Sequence, residues 1–348
     1  MKRLLITFTL SSLTIGTVLV IISNHWFPIW LGLELRTLSV IPLLKTKINS
    51  RRKEATIKYF LVQAFRAALL LNGATLSLWI KNSWSVKEIF KTPICYLIIL
   101  LAIIIKLGLS PCHFWFPDVL RGVSFLKGII IACWQKIAPL FVLLELIKKI
   151  PKEIVLVCAA MSVLIGGWGG LNQVRVRKIL AYSSIRHLGW ITATLFFIPE
   201  IAILLFILYI LKNTLSFLIC HNKNLTSLSN LRKIRIIPTT SILFSLTLLS
   251  LGGLPPLGGF LKKLIPFLIL IENLKRFLIP IFIIGSLIRL YFYLRIVFKT
   301  RLTLFPKNSL TIIYSKTSPP NKTNLVIRIL TPFTIWGLLL FPIIWSFI

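Results

Sequence analysis

The sequence predicts an all-α membrane protein, a polytopic bundle of about eleven spanning helices. Two observations predict it. Of the 348 residues, 57% are hydrophobic and only 14% are charged. The apolar residues also come in runs of about 20, the length that crosses a hydrocarbon core of about 30 Å. Since nothing alternates with the period of two that marks a membrane barrel, we expect helices joined by short loops, without a separate soluble domain.

The spanning segments are separated by turn residues and by three longer polar stretches, 46–56, 221–237 and 300–324. The first apolar run follows a basic start and so has one feature of a signal peptide. It is long, however, and lacks a small-x-small cleavage site, which favours a first spanning helix. The predicted spans are approximately 3–22, 26–45, 57–80, 94–117, 122–147, 153–171, 177–198, 200–220, 238–264, 276–299 and 325–347.

The order of these segments indicates two inverted five-helix repeats and a C-terminal helix within one membrane domain. Glycine and proline interrupt corresponding segments at Gly108–Pro111 and Gly252–Gly259. Matched interruptions of this kind are typical of the functional site in transporters built from inverted repeats. A broken helix at membrane depth is also tolerated only where protein buries it or water reaches it. The predicted extents are 1–348 for the domain, 3–147 and 153–299 for the repeats, and 325–347 for the last helix.

The charge balance excludes less than it first suggests. The formal net charge is +33, from 41 Lys and Arg against 8 Asp and Glu. Such a balance is typical of nucleic-acid-binding proteins, but here the basic residues are scattered over loops and segment ends. We therefore expect a lipid bilayer and no nucleic acid as partner. The same even spread gives no clear orientation by the positive-inside rule.

The cysteines and histidines predict no metal or redox centre. The five cysteines are isolated, and the four histidines are dispersed without metal-ligand spacing. The chain has no phosphate loop, no GxGxxG motif before a helix and no cysteine set for an iron–sulfur cluster. We therefore expect neither a nucleotide nor a redox cofactor on this chain.

Three lysines lie inside or against segments that are otherwise apolar: Lys106, Lys136 and Lys263. A charge at the bilayer centre costs roughly 2.5–3.5 kcal/mol, so such residues usually have a function. Lys106 precedes the first helix break, although an interfacial lysine that reaches the headgroups is the alternative. Lys136 lies deep in its segment. Lys263 follows the second break, beside Lys262, and the sequence does not decide which of them faces the interior.

A carboxylate and two histidines complete the candidate relay. Glu34 lies within the second apolar segment, where a carboxylate usually faces the bundle and pairs with a cation, and Lys106 is its natural partner. A lysine whose neighbour changes charge can take up and release a proton, as a proton relay requires. His113 and His187 could pass protons along a hydrogen-bonded chain. The alternative for each histidine is a structural, hydrogen-bonded role.

Several strings carry a family resemblance. From about residue 20 to 300, the chain resembles the subunit 2 family of mitochondrial NADH–ubiquinone oxidoreductase, respiratory complex I. The strings are SNHWFPIWLGLEL, EATIKYFLVQAF, KLGLSPCHFWFPDVLRG, WQKIAPL, GGWGGLNQ, RKILAYSSI and LSLGGLPPLGGF.

The resemblance implies an antiporter-like membrane-arm subunit of the inner mitochondrial membrane, with eleven spanning helices and other membrane-arm subunits as partners. It would contribute to proton translocation while electrons pass from NADH to ubiquinone. NADH, FMN, the iron–sulfur clusters and ubiquinone would belong to the rest of the complex.

The family's relay residues carry over onto particular positions of this chain. Its glutamate in the GLE motif falls on Glu34, and its first two lysines fall on Lys106 and Lys136. A third lysine falls on Lys263, although Lys262 stands where relatives have proline. His113 and His187 also match family histidines.

Five arginines depart from the family pattern, in places where relatives have serine or another small or uncharged residue. Several unpaired arginines within a membrane would be hard to sustain. One hypothesis is that some stand for AGA or AGG codons, which several animal mitochondria read as serine. The scarcity of methionine would fit the same kind of codon difference or a preference for isoleucine. The five are Arg36, Arg66, Arg121, Arg186 and Arg289.

Two other functions compete with a complex I subunit. A cation/proton antiporter acting alone would share the broken helices and buried lysines. A structural subunit that supports assembly would keep the fold without conducting protons. The resemblance favours the complex I subunit over both.

Overall fold

The structure, a computed structural model, confirms the all-α prediction. Its described residues form thirteen α-helices and one π turn, and their β pairing is confined to isolated bridges. The chain divides into two compact units, Met1–Cys158 and Ala159–Ile348, called here the first and second units. The residues that the structure describes are 2–45, 49–86, 93–147, 150–230, 238–255, 257–273, 277–301, 326–327 and 329–332.

The first unit contains seven helices and the π turn among its described residues, and it includes the start of α8. The π turn, Ile130–Trp134, lies between α6 and α7, so the predicted span 122–147 is one long helical segment with a local change of winding. The helices are α1 Lys2–Ile22, α2 Trp26–Lys45, α3 Ser50–Lys81, α4 Pro93–Leu107, α5 Trp115–Gly122, α6 Phe125–Ile129 and α7 Gln135–Leu146.

Two glycines let α1 and α2 approach each other closely. A Cβ atom on Gly16 would lie 2.8 Å from the carbonyl oxygen of Gly32, and a Cβ atom on Gly32 would lie 3.0 Å from that of Gly16. Small residues at such crossings are how membrane helices gain backbone packing, because lipid supplies no hydrophobic drive for their association. Helix α2 packs in turn on α3, and α7 packs on α1, α2 and α4.

The predicted span 94–117 is interrupted where the sequence indicated. Helix α4 ends at Leu107, and the chain resumes as α5 at Trp115. Gly108 has φ +72°, a left-handed conformation that glycine adopts without steric cost. Its N–H donates to the carbonyls of Ile104 and Ile105. The Trp115 Nε1–H also donates to the Ile105 carbonyl at 3.0 Å, so the broken end is satisfied within the protein.

The second unit repeats this order of elements. Helix α8, in which the division between the units falls, is followed by α9, α10 and a second broken segment. Among its described residues, α11 ends at Gly252 and α12 begins at Leu261, so the predicted span 238–264 is also interrupted. The helices are α8 Lys152–Trp168, α9 Val176–Leu195, α10 Pro199–Asn222, α11 Pro238–Gly252, α12 Leu261–Glu272 and α13 Leu278–Arg301.

Six of the described helices are long and apolar enough to cross a membrane by length and composition: α1, α2, α3, the α6–α7 segment, α10 and α13. Helices α4 and α11 are shorter apolar helices because each stops at its glycine. The count of eleven spans and the inverted relation of the repeats stay predictions. The predicted last helix, 325–347, lies largely outside the described residues, of which 326–327 and 329–332 are helical.

Candidate functional site

Lys106 occupies the last turn of α4, immediately before the first break. It is 5% exposed, and its Nζ donates to the carbonyl of Leu33 on α2 at 3.0 Å, a contact that favours the interior position over the interfacial alternative. A lysine that bonds a backbone carbonyl keeps two further N–H donors for a carboxylate or water. Lys106 therefore lies beside the turn of α2 that carries Glu34, as the sequence suggested.

Glu34 has a different partner from the expected one. Its Oε2 lies 3.5 Å from Nη2 of Arg66 on α3. The geometry is an ion pair without a hydrogen bond, since neither of these two atoms has a hydrogen-bond partner among the described residues. Arg66 is therefore the cation that pairs with Glu34, in the place expected for Lys106. Lys106 instead bonds the backbone carbonyl of Leu33, the residue before Glu34.

His113 lies inside the first break, between α4 and α5. It is 2% exposed, and its Nδ1 is 3.1 Å from the carbonyl oxygen of Pro111. Because a carbonyl can only accept, the Nδ1 must carry the hydrogen, which leaves Nε2 as the acceptor. A ring fixed in this way can receive a proton on one side only. The relay and structural readings of His113 are both compatible with this geometry.

Lys136 follows the π turn on α7 and is 2% exposed. Its Nζ lies 4.2 Å from the ring centroid of Phe116, a geometry that favours a cation over the aromatic face. Pro139, inside the same helix, has no N–H for the Gln135 carbonyl. The regular backbone hydrogen bonds of the α-helix are therefore interrupted both before and after Lys136. Such π turns are frequent at functional sites.

Helix α2 is tied to the segment that carries Lys136. Nη2 of Arg36 donates to the carbonyl of Trp134 at 2.5 Å, and Nε2 of Gln135 donates to the carbonyl of Arg36 at 3.2 Å. The first unit therefore brings Glu34, Lys106 and Lys136 together on three helices of one bundle, with α7 packed on both α2 and α4.

In the second unit, Lys263 lies against the second break. Gly253 has φ +75°, and a Cβ atom there would come within 2.5 Å of the Lys263 Cε and 3.0 Å of its Nζ. The half-buried Lys263 side chain thus packs directly on the backbone at which α11 ends. Lys262 is buried and turns elsewhere, with its Nζ 6.0 Å from the ring centroid of Tyr209.

His187, on α9, is buried against two other side chains. The Arg289 Nη1 lies 3.2 Å from its Nδ1 and 2.8 Å from its Nε2, and its ring centroid is 5.7 Å from that of Tyr209. The Arg289 Nη2 also donates to the carbonyl of Leu251, near the end of α11. The structure therefore joins His187 to the second break through a guanidinium.

Sequence reasoning missed Lys212, which is 1% exposed on α10. It interrupts the apolar run LLFILYILKNTLSFLIC, so the rule that selected Lys136 would also have selected it. The second unit thus buries several cations, yet after residue 158 the sequence holds only two carboxylates, Glu200 and Glu272, and both are exposed. The carboxylates of the second unit are thus at its surface, whereas Glu34 of the first unit is half-buried.

Comparison with family models matches two parts of the chain. Residues 23–289 match a model described as NADH:quinone oxidoreductase/Mrp antiporter, transmembrane. Residues 290–345 match a model described as NADH dehydrogenase subunit 2 C-terminus. The two matches meet without a gap and cover all but the ends of the chain.

Similar proteins include NADH-ubiquinone oxidoreductase chain 2 from three animals. The chain is 43% identical to the protein of Pisaster ochraceus, over the full length of both. It is 41% identical to that of Squalus acanthias, over 99% of each chain, and 40% identical to that of Equus asinus, over 89% of each. This confirms the family resemblance found in the sequence.

Two solved structures share the fold. Against respiratory complex I from Thermus thermophilus with bound aureothin, the TM-score is 0.77 at 24% identity, covering 94% of this chain and 78% of the other. Against the Mrp complex from Dietzia, it is 0.76 at 17% identity, covering 86% and 61%. The chain belongs to the NADH:quinone oxidoreductase/Mrp antiporter membrane family and, within it, to the NADH dehydrogenase subunit 2 group.

Proposed function

We propose that the chain is a core membrane-arm subunit of mitochondrial complex I, in the inner mitochondrial membrane. It contributes to proton translocation, which is coupled to electron transfer from NADH to ubiquinone in other subunits. The family membership supports this role, as do the names of relatives that match the chain over its full length.

One observation carries the proton-moving part of the proposal. Lys106 and Lys136 are both buried on helices that pack against one another, and Lys106 bonds the turn of α2 that bears Glu34. Burying a lysine within a membrane costs free energy, so lysines at such positions usually belong to functional sites such as proton paths. A purely structural subunit would have no reason to keep both.

We propose a mechanism that is compatible with these contacts. Negative charge at Glu34 stabilises the protonated form of Lys106, and a rearrangement that separates the two groups releases the proton. Water would carry it toward Lys136, since direct transfer needs hydrogen-bond contact. His113, with its Nε2 available, is placed to take part at the break. Lys263 and His187 are the second unit's members of the relay.

We propose no redox cofactor for this chain. NADH, FMN, the iron–sulfur clusters and ubiquinone would be held by the other subunits of the complex. The partners of this chain are the neighbouring membrane-arm subunits and lipid. The alternative of an antiporter acting alone makes a different prediction, because such a protein would be recovered without NADH-oxidising partners.

The test replaces Lys136 by methionine, which approximately keeps the length of the side chain and removes the amine that can carry a proton. We expect the complex to assemble and the number of protons translocated per electron to fall. Lys152→Met is the matched control, because Lys152 is exposed at the start of α8. A Lys136→Met complex with an unchanged proton-to-electron ratio would contradict the proposed role. Loss of assembly in Lys136→Met alone would instead support the structural alternative.

A further inference from the structure

Four of the five arginines that depart from the family pattern are fully buried. Arg36 and Arg186 are 0% exposed, and Arg66 and Arg289 are 1% exposed. The fifth, Arg121, is half-buried in a surface pocket that also contains Glu54 and Asp118, two carboxylates that pair with Lys58 in the same pocket. Burial thus separates the four from the fifth.

Three of the four guanidinium groups are poorly satisfied among the described residues, whereas Arg289 leaves only its Nε without a partner. Arg186 has no hydrogen-bond partner for any of its three side-chain nitrogens, and Arg36 and Arg66 each leave two of theirs without one. A guanidinium carries five donors and does not give up its proton in a protein, so burial cannot neutralise it. A buried lysine differs, because its amine can lose its charge. The arginines therefore present an unrelieved cost that Lys106 and Lys136 do not.

Counter-charges do not resolve this. Only Arg66 has a carboxylate within 4 Å among the described residues, and that contact, to Glu34, makes no hydrogen bond. Arg186 and Arg289 lie in the second unit, where the only two carboxylates, Glu200 and Glu272, are exposed. Buried charges in proteins are normally paired, hydrogen-bonded or bound to metal.

Two of the arginines also occupy helix crossings built for small residues. A Cβ atom on Gly16 of α1 would lie 2.7 Å from the Arg36 Cγ on α2. A Cβ atom on Gly166 of α8 would lie 2.9 Å from the Arg186 Cβ on α9. Each arginine follows its glycine at the same sequence separation, so the crossing recurs in both units. Close crossings of this kind favour glycine, alanine, serine and threonine.

We infer that positions 36, 66, 186 and 289 carry serine in the protein that is assembled in the membrane. AGA and AGG codons specify arginine in the standard code and serine in several animal mitochondria. The inference therefore rests on the proposed mitochondrial location of the protein. A serine on a helix satisfies its hydroxyl by donating to a carbonyl three or four residues earlier. Ser183 and Ser184, beside position 186, do so in the buried part of α9, at 2.8 and 2.7 Å.

The substitution changes the candidate site in both units. Serine at position 66 removes the arginine from Glu34 and leaves this carboxylate available to Lys106, which already bonds the preceding residue, Leu33. Serine at position 289 frees both ring nitrogens of His187. Glu34 and His187 then no longer contact a buried arginine.

The test is peptide mass spectrometry of the chain in the complex purified from its own mitochondria. After denaturation, trypsin is expected to cleave after Lys106 and Lys136 and to leave positions 36, 66, 186 and 289 uncut. Chymotryptic peptides over the four positions are expected to have the masses for serine. The two lysine cleavages are the internal control for access of the protease.

An arginine mass at any of the four positions overturns the inference for that position. An arginine at position 66 would also overturn the inference that Glu34 is available to Lys106. The measurement reads residue identity and not proton transport. Arginine at all four would therefore leave the proposed function in place. Conversely, a Lys136→Met complex that translocates protons normally would contradict the function without touching the serine assignment.

Discussion

The two units use the same backbone device around different side chains. In each, an isolated bridge ties the loop after the first helix to the loop after the third, His25 to Ser85 and Arg175 to Ser227. In each, a 15-residue apolar helix begins at a proline, and a glycine with φ of +72° or +75° follows its end. The carboxylates of the second unit, Glu200 and Glu272, are exposed, whereas Glu34 of the first unit is half-buried in the turn that Lys106 contacts. The broken helix is therefore a backbone feature that both units share, and the side chains around it determine the chemistry of each site.

Steric crowding at the break also distinguishes the units. In the first unit, a Cβ atom on Gly108 would find ordinary contacts, the nearest at 3.5 Å. In the second, the chain passes so close to α11 that a Cβ atom on Gly259 would overlap the Ser250 carbonyl oxygen. The second break is consequently less tolerant of substitution than the first.

The largest expected effect is therefore that of Gly259→Ala. Relieving the overlap with Ser250 requires a backbone shift, which we expect to cost about 3 kcal/mol or more. Gly108→Ala is expected to cost about 1–2 kcal/mol, from the left-handed conformation alone. The measurement is the amount of assembled complex in the membrane. Gly252→Ala is the control, because its Cβ atom would meet a movable methyl of Leu290 at 3.2 Å and make an ordinary contact with the Tyr293 ring at 3.8 Å. Equal losses in the first two variants would show that the breaks are equivalent.

The next effect tests which lysine serves the second unit. Lys263→Met is expected to slow proton translocation about tenfold, or about 1.4 kcal/mol in the barrier. The reason is that its amine lies against the break at Gly253. Lys262→Met, whose side chain faces Tyr209, is the matched control and is expected to have a smaller effect. The reverse order, measured in reconstituted vesicles, would assign the path to Lys262.

A third prediction concerns the carboxylate that distinguishes the first unit. Glu34→Gln keeps the size of the side chain and removes the charge that we propose stabilises protonated Lys106. We expect proton translocation to slow several-fold, below about tenfold, because the lysine keeps its bond to Leu33. Glu200→Gln and Glu272→Gln, which change exposed carboxylates of the second unit, should leave the rate unchanged. A larger effect from either control would mean that the units do not differ in this respect.

The smallest effect is expected from His113→Asn. The asparagine amide can still donate to the Pro111 carbonyl, so the break should keep its conformation. A water molecule can replace the lost ring in a proton path at small cost, so we expect proton translocation to slow only about twofold. Assembly serves as the control measurement. Loss of assembly would show that His113 is structural.

The sequence predicted the fold class and both breaks because these depend on local properties, the length of apolar runs and the placement of glycine and proline. It also predicted that Lys106 and Lys136 are buried. It could not predict that Glu34 faces Arg66, since that contact joins helices whose rotation depends on packing. Lys212 was missed although the same rule applied.

The π turn at Ile130–Trp134 has a consequence for the direction of Lys136. An α-helix turns by about 100° per residue, and a π turn accommodates one residue more than an α turn. Every side chain after Trp134 is therefore rotated relative to the face that the periodicity of Phe125–Ile129 would assign to it. Deleting one residue from the turn would return the segment to regular α winding and leave Lys136 facing Phe116, whereas a deletion within regular α winding rotates the side chains that follow it by about 100°. Its orientation is thus a property of the whole segment's winding, and a single-residue insertion or deletion far from any charge could redirect it.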